Sequence, residues 1–179
     1  MKSKLPLVSI IIPAYNGARY LKTSVQSVLA QDYPNIELLV FDDGSTDDTV
    51  DILKNYGNIF YWESHENMGQ SATLNKGWGM AKGEFLSYLS VDDLLESNAV
   101  SASVEYLLAH PEIVMTYCDY ALIDEAGRLI RDIKVPEFNY SDLLSKIIVQ
   151  PGPGIFFRRE DFQKIGGWDS SLRQMPDLD

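Results

Sequence analysis

The stretch Leu7-Val8-Ser9-Ile10-Ile11-Ile12-Pro13-Ala14-Tyr15-Asn16 decides the fold class. It is apolar and mostly β-branched up to Ile12 and stops at Pro13, so it reads as a short strand buried on both faces of a parallel sheet. A helix pattern follows over 18–31, where Leu21, Val25, Val28 and Leu29 recur at i, i+4, i+7 and i+8 and share one face. Asp32-Tyr33-Pro34 stops it, because the residue before a proline is pushed away from helical backbone. Residues 36–41 repeat the buried-strand pattern. Ser45-Thr46-Asp47-Asp48 has the spacing of a capping box, a carboxylate three residues after a hydroxyl, and opens a helix that ends near Tyr56-Gly57. Strand, helix, strand, helix within sixty residues predicts a wound α/β sheet.

The pattern continues outward from there. Residues 59–63 and 84–89 read as strands, and 70–81 as a helix weakened by Gly77 and Gly79. Ser97-Asn98 caps a helix whose Val100, Val104, Leu107 and Leu108 share a face, and His110-Pro111 ends it. Residues 113–117 return to the sheet. Segments 120–123 and 128–133 flank Asp124-Glu125-Ala126-Gly127, the composition of a hairpin loop, so pairing there is expected to be antiparallel and the sheet mixed. A short helix is expected near 140–148, and a Gly/Pro stretch over 150–154 leads into a strand over 155–158. No repeat, low-complexity tract or linker interrupts the chain, and 179 residues with 45% apolar composition suit one α/β domain.

The formal charge is -11, from 26 acidic against 15 basic residues, and no basic patch is visible. That balance repels nucleic-acid backbones. A phosphorylated ligand bound by so acidic a chain needs positive charge from elsewhere, and a divalent cation is the economical source. Cys118 is the only cysteine, which rules out an internal disulfide and makes the cytoplasm the default location. The longest apolar run, 7–12, is too short to span a bilayer, and the first residues lack a signal-peptide layout; peripheral association with the inner face of a membrane remains compatible. Pro176-Asp177-Leu178-Asp179 ends without a helix terminator, so the chain is expected to be cut from something longer.

In open α/β sheets ligands collect beyond the carboxyl ends of the strands. After the first strand comes Pro13-Ala14-Tyr15-Asn16, after the second Asp42-Asp43-Gly44-Ser45, after the fourth Ser90-Val91-Asp92-Asp93. If the first and fourth strands are neighbours, these carboxylates ring one pocket, and like charges so placed suit a hard cation such as Mg²⁺ or Mn²⁺. The plainer alternative stays open: Asp42 and Asp43 as turn residues before a glycine, Asp92 and Asp93 as acids favoured by a following helix dipole.

The motifs PAYN at 13–16, DDGSTDDT at 42–49, ENMGQSATLNKG at 66–77, SVDD at 90–93, GPGIFFRRE at 152–160 and GGWDSSLRQMPDLD at 166–179 resemble, in that order, the family-two glycosyltransferases of the GT-A fold. The resemblance covers essentially the whole chain. It implies a three-layer α/β/α domain over 1–179 with a mixed, mostly parallel sheet, in which 1–95 bind the sugar nucleotide and 96–179 begin an acceptor half that is incomplete at its C-terminus. It implies inverting, metal-dependent transfer of a hexosyl-like group from a nucleoside diphosphate sugar, most simply a UDP-sugar, to a saccharide or lipid-linked saccharide acceptor in cell-surface polysaccharide synthesis.

Carried over position by position, the resemblance places Pro13, Ala14 and Asp43 at the base of the nucleotide, with the Asp43 carboxylate accepting an imide N–H. Tyr15, Asn67, Gly69 and Asn75 join the donor-contacting positions, Asp92 lies near the ribose or the ion, and Asp93, with Asp92, holds Mg²⁺ or Mn²⁺. Ser90 departs from the commonest pattern, which has a further aspartate there. One carboxylate with diphosphate oxygens and waters still satisfies an octahedral ion. Asp177 matches the general base, with Asp179 its competitor.

Two rivals remain in view. A nucleotidyltransferase would carry a Gly-rich, Arg/Lys-bearing loop after the first strand, and 13–20 lacks that spacing; a non-catalytic nucleotide-binding remnant is the other, suggested by Ser90. Trp62, Trp78 and Trp168 read as packing groups, with an acceptor-lining role open for Trp168. His65 and His110 read as solvated or capping residues, and Arg158 and Arg159 as flanking a strand end.

Overall fold

The structure is a computed structural model that describes residues 5–139, 141 and 153–171. Its order is β1 (Val8–Ala14), α1 (Leu21–Leu29), β2 (Ile36–Asp42), α2 (Thr49–Lys54), β3 (Tyr61–Ser64), α3 (Gln70–Met80), β4 (Phe85–Tyr88) and α4 (Ala99–Ala109), then β5 (Met115–Thr116), β6 (Tyr120–Ile123), β7 (Leu129–Ile133), β8 (Phe156–Arg158) and α5 (Arg159–Ile165). The expected helix over 140–148 lies outside the described residues except for Ser141.

Six strands form one sheet in the order β3-β2-β1-β4-β8-β5. β1 pairs in parallel with both β2 and β4, and β2 with β3. The chain therefore winds outward from β1 to β3 and then crosses back to β4 on the other side of β1, which makes the carboxyl ends of β1 and β4 a topological switch point. The mixed character comes from β8, antiparallel to both β4 and β5. The β6–β7 hairpin does pair antiparallel, but as a separate two-stranded sheet rather than as part of the main one.

β1 is buried at all seven positions, as its apolar run requires, with the one polar side chain, Ser9, hydrogen-bonded to Glu37 and the Gly83 N–H. Alternate residues feed two cores: Val8, Ile10 and Ile12 meet Val25, Val28, Leu53, Val104 and Leu107, while Ile11 meets Leu39, Phe41, Leu74, Trp78 and Leu86. Helices thus cover both faces, the α/β/α layering of a GT-A sheet. Each fully buried aliphatic side chain contributes roughly 1.5–3 kcal/mol. The apolar stripes of α1 and α4 are narrower than the sequence reading: Leu29 and Leu108 are exposed, and Ser24 is buried in their stead.

Gly77, a weak point by helix propensity, is where α3 presses on the sheet. A Cβ there would stand 2.8 Å from Ile11 Cγ2 and 3.0 Å from a Phe41 ring carbon, so only glycine allows this approach. Trp78 next to it packs edge-on against Tyr88, Phe157, Phe162 and Trp168, with ring centroids 4.9–6.0 Å away. This aromatic cluster carries Trp168 as a packing group. Arg158 is also structural: its guanidinium donates to the carbonyls of Ile113, Leu107 and His110. Among the described residues no helix is long and apolar enough to cross a membrane.

Candidate functional site

The loops that leave β1, β2, β3 and β4 rise from one edge of the sheet, and hydrogen bonds bind the first three to one another. Asn16, with φ 51°, takes the left-handed backbone that asparagine tolerates. Its N–H donates to Ser45 Oγ at 2.8 Å, and its Oδ1 accepts the Thr46 N–H at 2.8 Å. Gly17 N–H donates to Thr49 Oγ1 at 3.0 Å, and Ala18 N–H to Asp47 Oδ2 at 3.1 Å. The expected capping box is therefore not formed. Ser45 serves the β1 loop, and Asp47 accepts the Thr49 N–H at 3.0 Å and hydroxyl at 2.5 Å.

The adjacent acids of the β2 loop have separate tasks. Asp42 is fully buried; its carboxylate accepts from Ser64 Oγ at 2.5 Å and Ser45 N–H at 3.2 Å, which makes it the turn residue of the plainer alternative. Asp43 is 4% exposed and looks the other way. Its N–H donates to Ala14 O at 2.8 Å, and its carboxylate accepts the Met68 and Gly69 N–H groups at 2.7 and 3.0 Å. Asn67 Nδ2 donates to Asp43 O at 2.9 Å. Asp43 thus ties the β3 loop to the β1 edge. Each carboxylate oxygen retains a second lone pair for a ligand donor.

His65, read from sequence as isolated, lies against this acid. Its Nδ1 is 2.9 Å from Glu66 O, an atom that can only accept, so Nδ1 carries the hydrogen; the same nitrogen is 3.5 Å from Asp43 Oδ1. Nothing in a lone histidine before an Asn-Met-Gly turn announces this neighbour, because the parallel register of β2 with β3 creates it.

A cavity of about 340 Å³ opens between the four loops, lined by Pro13, Ala14, Tyr15, Asp43, Asn67, Gly69, Gln70, Ser90, Val91 and Asp92. Asp43 and Asp92, from loops after β2 and β4, therefore share one cleft. Tyr15, on the cavity wall, is 53% exposed. Gln70 and Val91 join the lining without having been singled out in the sequence. Asn75 is placed elsewhere: its amide donates to Trp168 O at 2.7 Å and accepts the Trp168 N–H at 2.9 Å, fastening α3 to the segment after α5. Asp177 and Asp179 lie outside the described residues.

Asp93, next in the chain and half-buried, is not among the residues that line the cavity; its N–H donates to Ser90 O at 3.0 Å. Burial, then the charge of Asp92, pushes its carboxyl up to about 6. Among the described residues no three or more His, Cys, Asp or Glu side chains converge to hold an ion. Two adjacent carboxylates, one at the cavity and one disfavouring its own charge, still make a hard-oxygen donor set. It fits Mg²⁺ or Mn²⁺, which take one or two carboxylates and fill their shell with ligand phosphates and water.

Residues 9–166 match the family model for glycosyl transferase family 2, and the chain belongs to that family. It is 38% identical over 183 residues to an uncharacterized glycosyltransferase of Rickettsia typhi, covering 97% of this chain and 57% of that protein. It is 34% identical over 152 residues to the putative teichuronic acid biosynthesis glycosyltransferase TuaG of Bacillus subtilis, covering 80% of this chain and 59% of TuaG. The chain thus spans little more than half the length of these relatives. In fold it is similar to S. aureus TarS 1–349 in complex with UDP, with a TM-score of 0.77 and 23% identity over 96% of this chain and 53% of that one.

Proposed function

We propose that this chain binds a nucleoside diphosphate sugar across the carboxyl ends of β1, β2 and β4 and passes its glycosyl group, with inversion, to an acceptor hydroxyl in cell-surface polysaccharide synthesis. The observation that carries the reading is the single cavity holding both Asp43 and Asp92. Membership of glycosyl transferase family 2 and the likeness to TuaG support the reaction class and its setting.

A UDP-sugar is the donor this geometry suits. Uracil is flat and offers one imide N–H; Tyr15 supplies a ring face and Asp43 a buried carboxylate that strengthens such a hydrogen bond. The two backbone N–H groups that bind the Asp43 carboxylate fix its direction before any ligand arrives. Pro13 and Ala14 supply the wall of the base site, Asn67 and Gly69 its far side. Asn75 acts through Trp168, as a positioning residue.

Asp92 and Asp93 would hold Mg²⁺ or Mn²⁺, which supplies positive charge to offset the charge gathering on the departing diphosphate. The acceptor oxygen attacks the anomeric carbon while the bond from that carbon to the diphosphate oxygen breaks. Asp177 takes the acceptor proton, and attack opposite the leaving group inverts the configuration. Residues up to 95 serve the donor and those from 96 onward begin the acceptor half.

Calorimetry with UDP, with and without Mn²⁺, tests this. Binding strengthened by Mn²⁺ and abolished in Asp43→Ala is expected; affinity indifferent to both would remove the nucleotide assignment.

A further inference from the structure

The loops after β1, β2 and β3 are bound to one another, but the loop between β4 and α4, which carries Asp92 and Asp93, is held from a different quarter. Its supports are α1 and Gln31 just beyond that helix. Ser24 Oγ, fully buried, reaches Ser90 O at 3.5 Å, and Ser27 Oγ accepts the Leu95 N–H at 3.2 Å. The two serines stand three residues apart and so share one face of α1. Asp32 N–H adds a bond to Ser97 O at 2.9 Å.

Gln31 makes the most of these contacts. Its Nε2 donates one hydrogen to Ser27 O at 2.9 Å, at the end of α1, and the other to Glu96 O at 2.7 Å. Its Oε1 accepts the Val100 N–H at 3.0 Å, one of the first-turn donors that α4 leaves free. Asn98, the residue before that helix, makes no side-chain cap, so the cap expected from Ser97-Asn98 is supplied instead by Gln31. With the amide turned over, Oε1 would face two carbonyls and Nε2 an N–H, so its direction is set.

The amide therefore has two separable tasks: Oε1 serves α4, and Nε2 holds the loop. The bonds to Ser90 O and Glu96 O bracket the two acids along the chain. Mg²⁺ demands oxygen ligands at about 2.0–2.1 Å in a near-octahedral array. Groups that only hold the ligands in place are worth about 10–100-fold in ion affinity. Resting on the donor reading above, we propose that Gln31 is a positioning residue for the divalent ion: through Glu96 O it fixes the loop that presents Asp92 and Asp93. It sets ion affinity while touching neither ion nor nucleotide.

Two variants separate the tasks. Gln31→Glu keeps an acceptor for the Val100 N–H, where a negative charge suits the start of a helix, but sets its other oxygen against the Ser27 and Glu96 carbonyls. Gln31→Met, of similar length, loses both functions. Electron paramagnetic resonance of free Mn²⁺ measures ion affinity in the presence of UDP, saturation-transfer NMR of UDP in EDTA measures metal-free binding, and thermal unfolding gives Tm. Mn²⁺ is expected to bind both variants about tenfold more weakly or worse. Metal-free UDP binding should match the wild type, and Tm should stay near the wild-type value in Gln31→Glu while falling in Gln31→Met. Should Gln31→Met fail to fold, Gln31→Glu decides alone. The proposal falls if Gln31→Glu holds Mn²⁺ as the wild type does, if its metal-free UDP binding drops in step with the ion, or if its Tm falls as far as that of Gln31→Met, which would make the residue a structural cap only. It falls too if the wild type binds UDP but no Mn²⁺. A wild type that binds no UDP even with Mn²⁺ would instead sink the donor reading, and this inference with it.

Discussion

Gly17 lies so close to Val91 that a Cβ on Gly17 would stand 2.6 Å from Val91 Cγ2. This contact joins the loop after β1 to the loop after β4 at the wall of the cavity, where Val91 is part of the lining. Gly17→Ala must push the two loops apart. A loss of about 1–3 kcal/mol of stability, typical of overpacking, is expected by chemical denaturation, along with weaker UDP binding by calorimetry. Adding Val91→Ala should restore much of both, and a double-mutant cycle without positive coupling would show that the contact does not set the loop spacing.

Gly44 and Gly127 have the same left-handed backbone, φ 77° and 76°, but different surroundings. A Cβ on Gly44 would meet Asn67 N at 2.7 Å, whereas one on Gly127 meets open space. Alanine at either site carries the left-handed cost of roughly 1–2 kcal/mol. Gly44→Ala adds a backbone clash that displaces Asn67 from the cavity. It should therefore destabilise more than Gly127→Ala and alone reduce nucleotide affinity; equal effects in both assays would mean that the β3 loop yields without consequence.

The raised carboxyl of Asp93 gives a pH dependence of stated sign. Its folded-state value of about 6 is above the ordinary carboxylate value, so the protonated form is the one that favours folding. Without divalent ions, the stability of the wild type relative to Asp93→Asn should fall as pH rises from about 4 to about 6 and then level off, by on the order of 2 kcal/mol. Ion binding needs the carboxylate, so the rise in Tm on adding Mn²⁺ should be large at neutral pH and shrink below about 6. A Mn²⁺ effect of equal size across that window would place the ion elsewhere.

Asp177→Asn should lower kcat by about 10²–10⁴ while leaving UDP affinity nearly unchanged. Parallel loss of binding and turnover would make Asp177 a structural residue, and attention would pass to Asp179.

Much of the fold is legible in the sequence because the central strands are short, mostly apolar and punctuated. The run 7–12 reads as an interior strand, although β1 continues through Pro13 to Ala14, and the turns at 32–34 and 110–111 end their helices close to where expected. What the residues do not announce depends on contacts made across the sheet. The capping box at Ser45 fails because the β1 loop takes the serine hydroxyl first. Gly77 looks like a helix defect until Ile11 and Phe41 are seen beneath it. In the site, adjacent acids in two loops point to a shared pocket, but only the geometry separates Asp42 from Asp43, and His65 and Gln70 gain meaning only from their neighbours. Asn75 carries no local sign that Trp168 takes both ends of its amide.

The position of β8 ties the two ends of the chain to one event. Phe85–Tyr88 has its second partner in Phe156–Arg158, and Met115–Thr116 is joined to the main sheet through the same late strand. During synthesis Phe85–Tyr88 must wait, with an unpaired flank, until some seventy further residues have emerged. A fragment ending near residue 95 would keep that flank bare for good, a ready template for pairing with other copies. The segments before and after residue 95 are therefore one folding unit: neither can be cut free without opening the sheet that holds the cleft.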